Sequence, residues 1–137
     1  MFSIGQLSKQ TGVKIPTIRY YEQMGIIAAP ERSISNQRRY TKAELDRLAF
    51  IKHARDLGLS IKDISELLKL SSKPENSCHD AHLIATKHLN SIKSRIKKLK
   101  RLERQLKQII AVSDDGNIDN CHIILSLSDH NLCDSEH

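Results

Sequence analysis

The sequence predicts a mainly α-helical chain: a small winged helix-turn-helix domain, one long helix, then a loop and a short terminal helix. Three observations carry that expectation. Apolar residues recur at helical rather than alternating spacing. Proline and glycine punctuate the first 75 residues and are absent from 77 to 112. Charge is divided along the chain: all 22 lysines and arginines lie within residues 1–107. Net charge is +12 over residues 1–112 and −6 over residues 113–137, together +6.

A chain of 137 residues suits one ordinary domain, or a small domain plus a long helix. Aromatics are 4% of the residues and tryptophan is absent, so the core is expected to be small. No apolar run approaches the length of a membrane span, and "MFSIGQLSKQTGVK" lacks a signal-peptide pattern. The expected compartment is the cytoplasm, with no membrane partner. Three cysteines in a reducing compartment read as free thiols, metal ligands or redox groups, not as a disulfide framework. A basic body attracts polyanions, of which nucleic acid is the commonest in that compartment. An acidic end bearing Cys and His attracts cations.

The elements follow in order. "SIGQLSKQTGV" places Ile4, Leu7 and Val13 near helical spacing, with Ser3 as N-cap and Gly12 as breaker. "KIPTIRYYEQMGI" puts Pro16 in a first turn and Gly25 at a C-terminal stop. Two such helices separated by a Gly-containing turn form a helix-turn-helix. The second carries Thr17, Arg19, Tyr20 and Tyr21, groups that reach phosphates and base edges. "IAAPERSISNQRRYT" reads as a β-hairpin wing with basic residues, turning at Ser33–Asn36 and ending in Arg38-Arg39-Tyr40.

"TKAELDRLAFIKHARDLGLS" opens with Thr41 as N-cap and Glu44 three residues on, the spacing of a capping box. Its apolar face is Leu45, Leu48, Ile51 and Leu57, and Gly58 ends it. Ser60 starts the next helix, with Ile61, Ile64, Leu67 and Leu68 facing the core. Arg55 lies on the polar side, within reach of phosphate or solvent. "SSKPENSC" is a break around Pro74. Beyond it, Leu89, Ile92, Ile96, Leu99, Leu102, Leu106 and Ile109 recur every three or four residues along a helix near 50 Å long. A single apolar stripe on such a helix cannot bury itself, so a two-chain coiled coil is expected. A homodimer also suits a two-fold symmetric DNA site. The expected organisation is residues 1–75 for the winged domain, 76–112 for the dimerisation helix, 113–127 for the loop and short helix, and 128–137 for a solvated tail.

"IGQLSKQTGVKIPTIRYYEQMGII", then "RRYT", then "LDRLAFIKHARDLGLSIKDISELL", then a long helix and a Cys-containing loop resemble the MerR family of transcriptional regulators. The resemblance implies a dimer joined by an antiparallel coiled coil. It implies binding to promoter DNA, and activation of RNA polymerase by bending and untwisting that DNA when an inducer binds. It implies Arg19, Tyr20, Arg38, Tyr40 and Arg55 as DNA contacts, with Lys14 and Thr17 as further candidates.

The family's metal-sensing branch places thiols at the start of the dimer helix and in a loop at its end. In an antiparallel pair, Cys78 of one chain would meet the 113–122 loop of the other. Members that sense monovalent copper, silver or gold have Ser at the position of Cys78. Those that sense divalent ions have Cys, and a third ligand does favour higher coordination. Cys121 matches the second loop cysteine. Ser113 stands where the pattern places the first. Zinc takes four S, N or O ligands, so His122, Asp115 and its neighbours Asp114 and Asp119, His79 or His82 are candidate replacements. Cys133, with His130 and His137, is a candidate third thiol. A Cys/His/Asp mixture points to Zn(II), with Cd(II), Pb(II) and Cu(I) as alternatives. The competing reading is a thiol sensor of oxidants, aldehydes or nitrosating agents on the same scaffold. A metal buffer would have no use for Arg19, Arg38 and Tyr40. An enzyme is not expected, since there is no Gly-rich phosphate loop and no nucleophile–base arrangement.

Overall fold

The computed structural model describes residues 1–28, 30–32, 38–112 and 116–129. Helix α1 spans Ile4–Thr11 and α2 Ile15–Met24. Strands β1 (Glu31–Arg32) and β2 (Arg38–Arg39) form an antiparallel pair in the register Glu31↔Arg39 and Arg32↔Arg38. Helices α3 (Lys42–Asp56) and α4 (Ile61–Ser71) follow. Helix α5 runs unbroken over His79–Ala111, and α6 covers His122–Ser128 after a 3-10 turn at Ile118–Asn120. By contacts the chain divides into Met1–Ile84 and Ala85–His137. No helix among the described residues is long and apolar enough to cross a membrane.

Local chemistry sets the helix ends of the first unit. The Ser3 hydroxyl accepts from the Gln6 amide at 3.1 Å, and the Gln6 side chain accepts from the Ser3 amide at 2.7 Å, a reciprocal box at the start of α1. The Thr41–Glu44 pair forms as its spacing predicts, with the Thr41 amide donating to the Glu44 carboxylate at 3.0 Å. Ser60 accepts from the Asp63 amide. Gly25 closes α2 at φ 80°, a left-handed cap that residues with a Cβ enter at a penalty.

The core packs Leu7, Ile18, Tyr21, Ile27, Tyr40, Leu48, Ile51 and Ile64 from all four helices and the wing, with Ile84 of α5 partly buried against it. One expected core residue lies elsewhere. Leu57 is 69% exposed, and Leu59 is buried in its place. The chain reverses after α3 through Gly58 at φ 85°. The Leu59 amide returns to the Ala54 carbonyl and the Gly58 amide to the Arg55 carbonyl, a Schellman closure that turns Leu57 outward.

The second unit buries little. Along α5, Leu89, Ile96, Leu99, Leu102 and Leu106 are exposed, and Ile92 and Ile109 are half-buried. Helix α6 is inverted in polarity: it buries Ser126 completely and exposes Ile123, Ile124, Leu125 and Leu127.

Candidate nucleic-acid interface and metal loop

Helix α2 presents two opposed faces. Ile18 and Tyr21 point into the core; Arg19 and Tyr20, about half a turn round at 3.6 residues per turn, point out. Tyr20 is 56% exposed, its ring tilted against that of Tyr21 with centroids 6.3 Å apart. Lys14 is exposed at the N-cap position, and Thr17 is half-buried. Arg19 and Tyr20 thus share the exposed side of α2, with Lys14 exposed at its N-terminal end, and a guanidinium, a phenol and an ammonium there could reach a groove and its phosphates.

The wing is tied to the rest of the domain at its base. The Phe2 amide donates to the Tyr40 carbonyl and the Tyr40 amide to the Phe2 carbonyl, both at 2.7 Å. Arg38 lies in β2 opposite Arg32, and Arg39 is half-buried beside it. Tyr40 corrects its expected role as a DNA contact. The side chain is 0% exposed, with its ring in the core and its hydroxyl donating to Glu22 of α2. A side chain with no exposed surface offers nothing to a phosphate, so its contribution is to place other groups.

Arg55, near the C-terminus of α3, donates from Nη1 to the Leu59 carbonyl at 2.9 Å and is otherwise exposed. That bond fixes the guanidinium at the α3–α4 turn and leaves further N–H donors of its fork for a phosphate. Arg47 donates through Nε to the Ile26 carbonyl, holding the turn after α2 against α3.

The metal-directed residues fall in two places, each described by itself. Cys78 is exposed at the N-cap of α5, its carbonyl accepting from the His82 amide at 2.9 Å. His79, also exposed, is the first residue of the helix, and its amide donates to the Ser77 hydroxyl. Cys78 also lines a cavity of about 320 Å³ with Phe50, Leu67, Leu70, Pro74 and Ala81. In the second place, Cys121 is the half-buried N-cap residue of α6, and His122 follows as its first residue. His122 Nε2 and Ser126 Oγ lie 3.2 Å apart, which orients the ring and leaves Nδ1 for another partner. Asp115 and Cys133 lie outside the described residues, as do Ser113, Asp114, His130 and His137. Among the described residues of one chain, no three His, Cys, Asp or Glu side chains gather where an ion could sit.

Sequence reasoning missed Glu22, Arg47 and Ser126. Glu22 follows the Tyr pair without any spacing that ties it to the wing, and Arg47 resembles any surface cation on α3. Ser126 carried a usable signal, since it lies four residues from His122 and therefore on the same helix face.

Comparison with known proteins adds ancestry to this geometry. Residues 2–71 match the family model described as MerR HTH family regulatory protein, and residues 45–109 match that described as MerR, DNA binding. The chain is 36% identical to the mercuric resistance operon regulatory protein of Bacillus cereus, over 92% of this chain and 96% of that protein. It is 37% identical to the HTH-type transcriptional regulator ZntR of Escherichia coli K12, over 80% of this chain and 78% of that one. Among solved structures it is similar to the transcription regulator PbrR691 from Ralstonia metallidurans CH34 in complex with lead(II). That similarity has a TM-score of 0.80 and 32% identity, covering 93% of this chain and 99% of that one.

Proposed function

This chain belongs to the MerR family of helix-turn-helix regulatory proteins, which are transcriptional regulators and not enzymes, and from that premise we propose that it is a metal-responsive regulator of promoter DNA. It works as a homodimer whose α5 helices pair antiparallel. One ion, Zn(II) in first place, is held where Cys78 of one chain meets Cys121 and His122 of the other. Bound metal shifts the dimer on its promoter from a repressing to an activating geometry for RNA polymerase.

The observation that carries this reading is the state of α5 and its two ends. An apolar seam is left unburied, one thiol stands at the helix start, and another follows its end beside an oriented imidazole. The donors fit the ion class. Two thiolates and an imidazole are borderline-soft ligands suited to a four-coordinate divalent ion. An imidazole whose second nitrogen is hydrogen-bonded within the protein is the usual form of a His ligand. His79 and Asp115 remain candidates for the last position. Lead(II), named for one relative, and Cd(II) and Cu(I) are the alternatives, and a fully thiolate site would suit the first two better.

A second reading rests on the exposure of Cys78 and the partial exposure of Cys121. Accessible thiols suit a sensor modified covalently by oxidants or electrophiles. Zinc titration of the reduced full-length chain against a chromophoric chelator separates the two. The metal reading expects tight binding, abolished by Cys78→Ser and by Cys121→Ser alike. Binding indifferent to both substitutions would overturn it in favour of the thiol sensor.

A further inference from the structure

The geometry points to Glu22 and Tyr40 as a positioning pair that fixes the wing relative to helix α2, and so sets how many wing cations reach DNA. The inference rests on the DNA-binding reading above. Among the described residues, strands β1 and β2 pair with each other as a two-stranded sheet, and a two-stranded hairpin is marginally stable on its own. Both the wing and α2 carry cations: Arg38 and Arg39 lie in β2, and Arg19 is exposed on α2. To contact one duplex together, the two elements must keep a fixed spacing.

Tyr40 supplies that spacing at a single residue. Its backbone is bonded in both directions to Phe2, its ring is completely buried, and its hydroxyl donates to the Glu22 carboxylate on α2. A buried tyrosine hydroxyl needs a partner, and a charged acceptor gives the stronger class of hydrogen bond. Tyr40→Phe keeps the ring and the backbone pairing and removes the hydroxyl that donates to Glu22. Glu22→Ala removes the same link from the other side. Deleting a carboxylate beside a DNA-binding surface should by itself raise affinity for a polyanion. A fall in affinity therefore reports the released wing.

The test uses the full-length chain and a labelled duplex bearing the sequence that the wild-type chain selects from a random library. Affinity is measured across a salt series for wild type, Tyr40→Phe, Glu22→Ala and the double variant. All are checked by circular dichroism to be folded at the assay temperature. Each single variant is expected to bind about tenfold more weakly. The slope of log affinity against log salt should become shallower by roughly one or two units, at about 0.9 per phosphate lost. The double variant should bind no more weakly than Glu22→Ala. Weaker binding with an unchanged slope would overturn the pair as a positioning device, because stability alone would account for it. Additive losses would overturn it too, because Tyr40 would then act independently of Glu22. So would tighter binding by Glu22→Ala. A wild-type chain that selects no duplex, or binds with no salt dependence, would fail earlier and overturn the DNA-binding reading itself.

Discussion

Replacing Leu99 by Lys should separate the dimer while leaving the winged domain folded. Leu99 sits in the middle of the α5 seam and is 64% exposed in the single chain. Complete burial of a leucine side chain stabilises by about 1.5–3 kcal/mol, so covering the part still exposed is worth about 1–2 kcal/mol per copy. Both copies change in a symmetric pair, which brings the loss to about 2–4 kcal/mol. At about 1.4 kcal/mol per decade, the dissociation constant should rise roughly 30- to 700-fold. The new ammonium also stands beside Lys98 and Lys100, and like charges across a pairing surface push the same way. Sedimentation equilibrium over a concentration series reads the constant directly. Leu99→Met, which keeps the volume, serves as the control and should stay near wild type. Leu99 is not part of the core around Leu48 and Ile51, so circular dichroism should show the helices of the first unit retained. A Leu99→Lys chain as dimeric as wild type would refute the assignment of this stripe as the pairing seam.

Three further outcomes are expected. Arg19→Ala should weaken binding to the selected duplex and reduce the salt slope by about one unit; an unchanged slope would remove Arg19 from the phosphate contacts. Ser126→Ala should lower zinc affinity about 10- to 100-fold by releasing the His122 ring, and chelator competition with an unchanged constant would argue that His122 is no ligand. Gly25→Ala should destabilise the fold by about 1–2 kcal/mol in urea titration, since φ is 80° and nothing lies within 4 Å of the added Cβ to clash with it. A drop well beyond that range would mean that the backbone conformation is not the source of the loss.

The parts of this molecule that could be read from its sequence are those decided within a few residues. Ser3 and Ser60 cap helices because a side-chain oxygen meets an orphan amide three positions on, and at Thr41 the Glu44 carboxylate reaches back to accept from the Thr41 amide. Gly12 and Gly25 end helices because a left-handed residue is needed there. The seam on α5 follows from spacing alone. The misreadings have a different origin. Leu57 is apolar and follows α3 directly, yet at about 100° per residue it lies half a turn from Leu48, and the Gly58 reversal takes Leu59 inside instead. Tyr40 follows two arginines and so resembles a surface aromatic. Its burial depends on Phe2 and Glu22, 38 and 18 positions away, whose involvement no local pattern announces. The same limit would apply with more force to the proposed ion site, which draws on two chains. Cys121 and His122 show their chemistry by adjacency, and Cys78 by its place at a helix start. The thiols are legible as candidate ligands because their chemistry is local, whereas a shell shared between chains would be set by the pairing of α5.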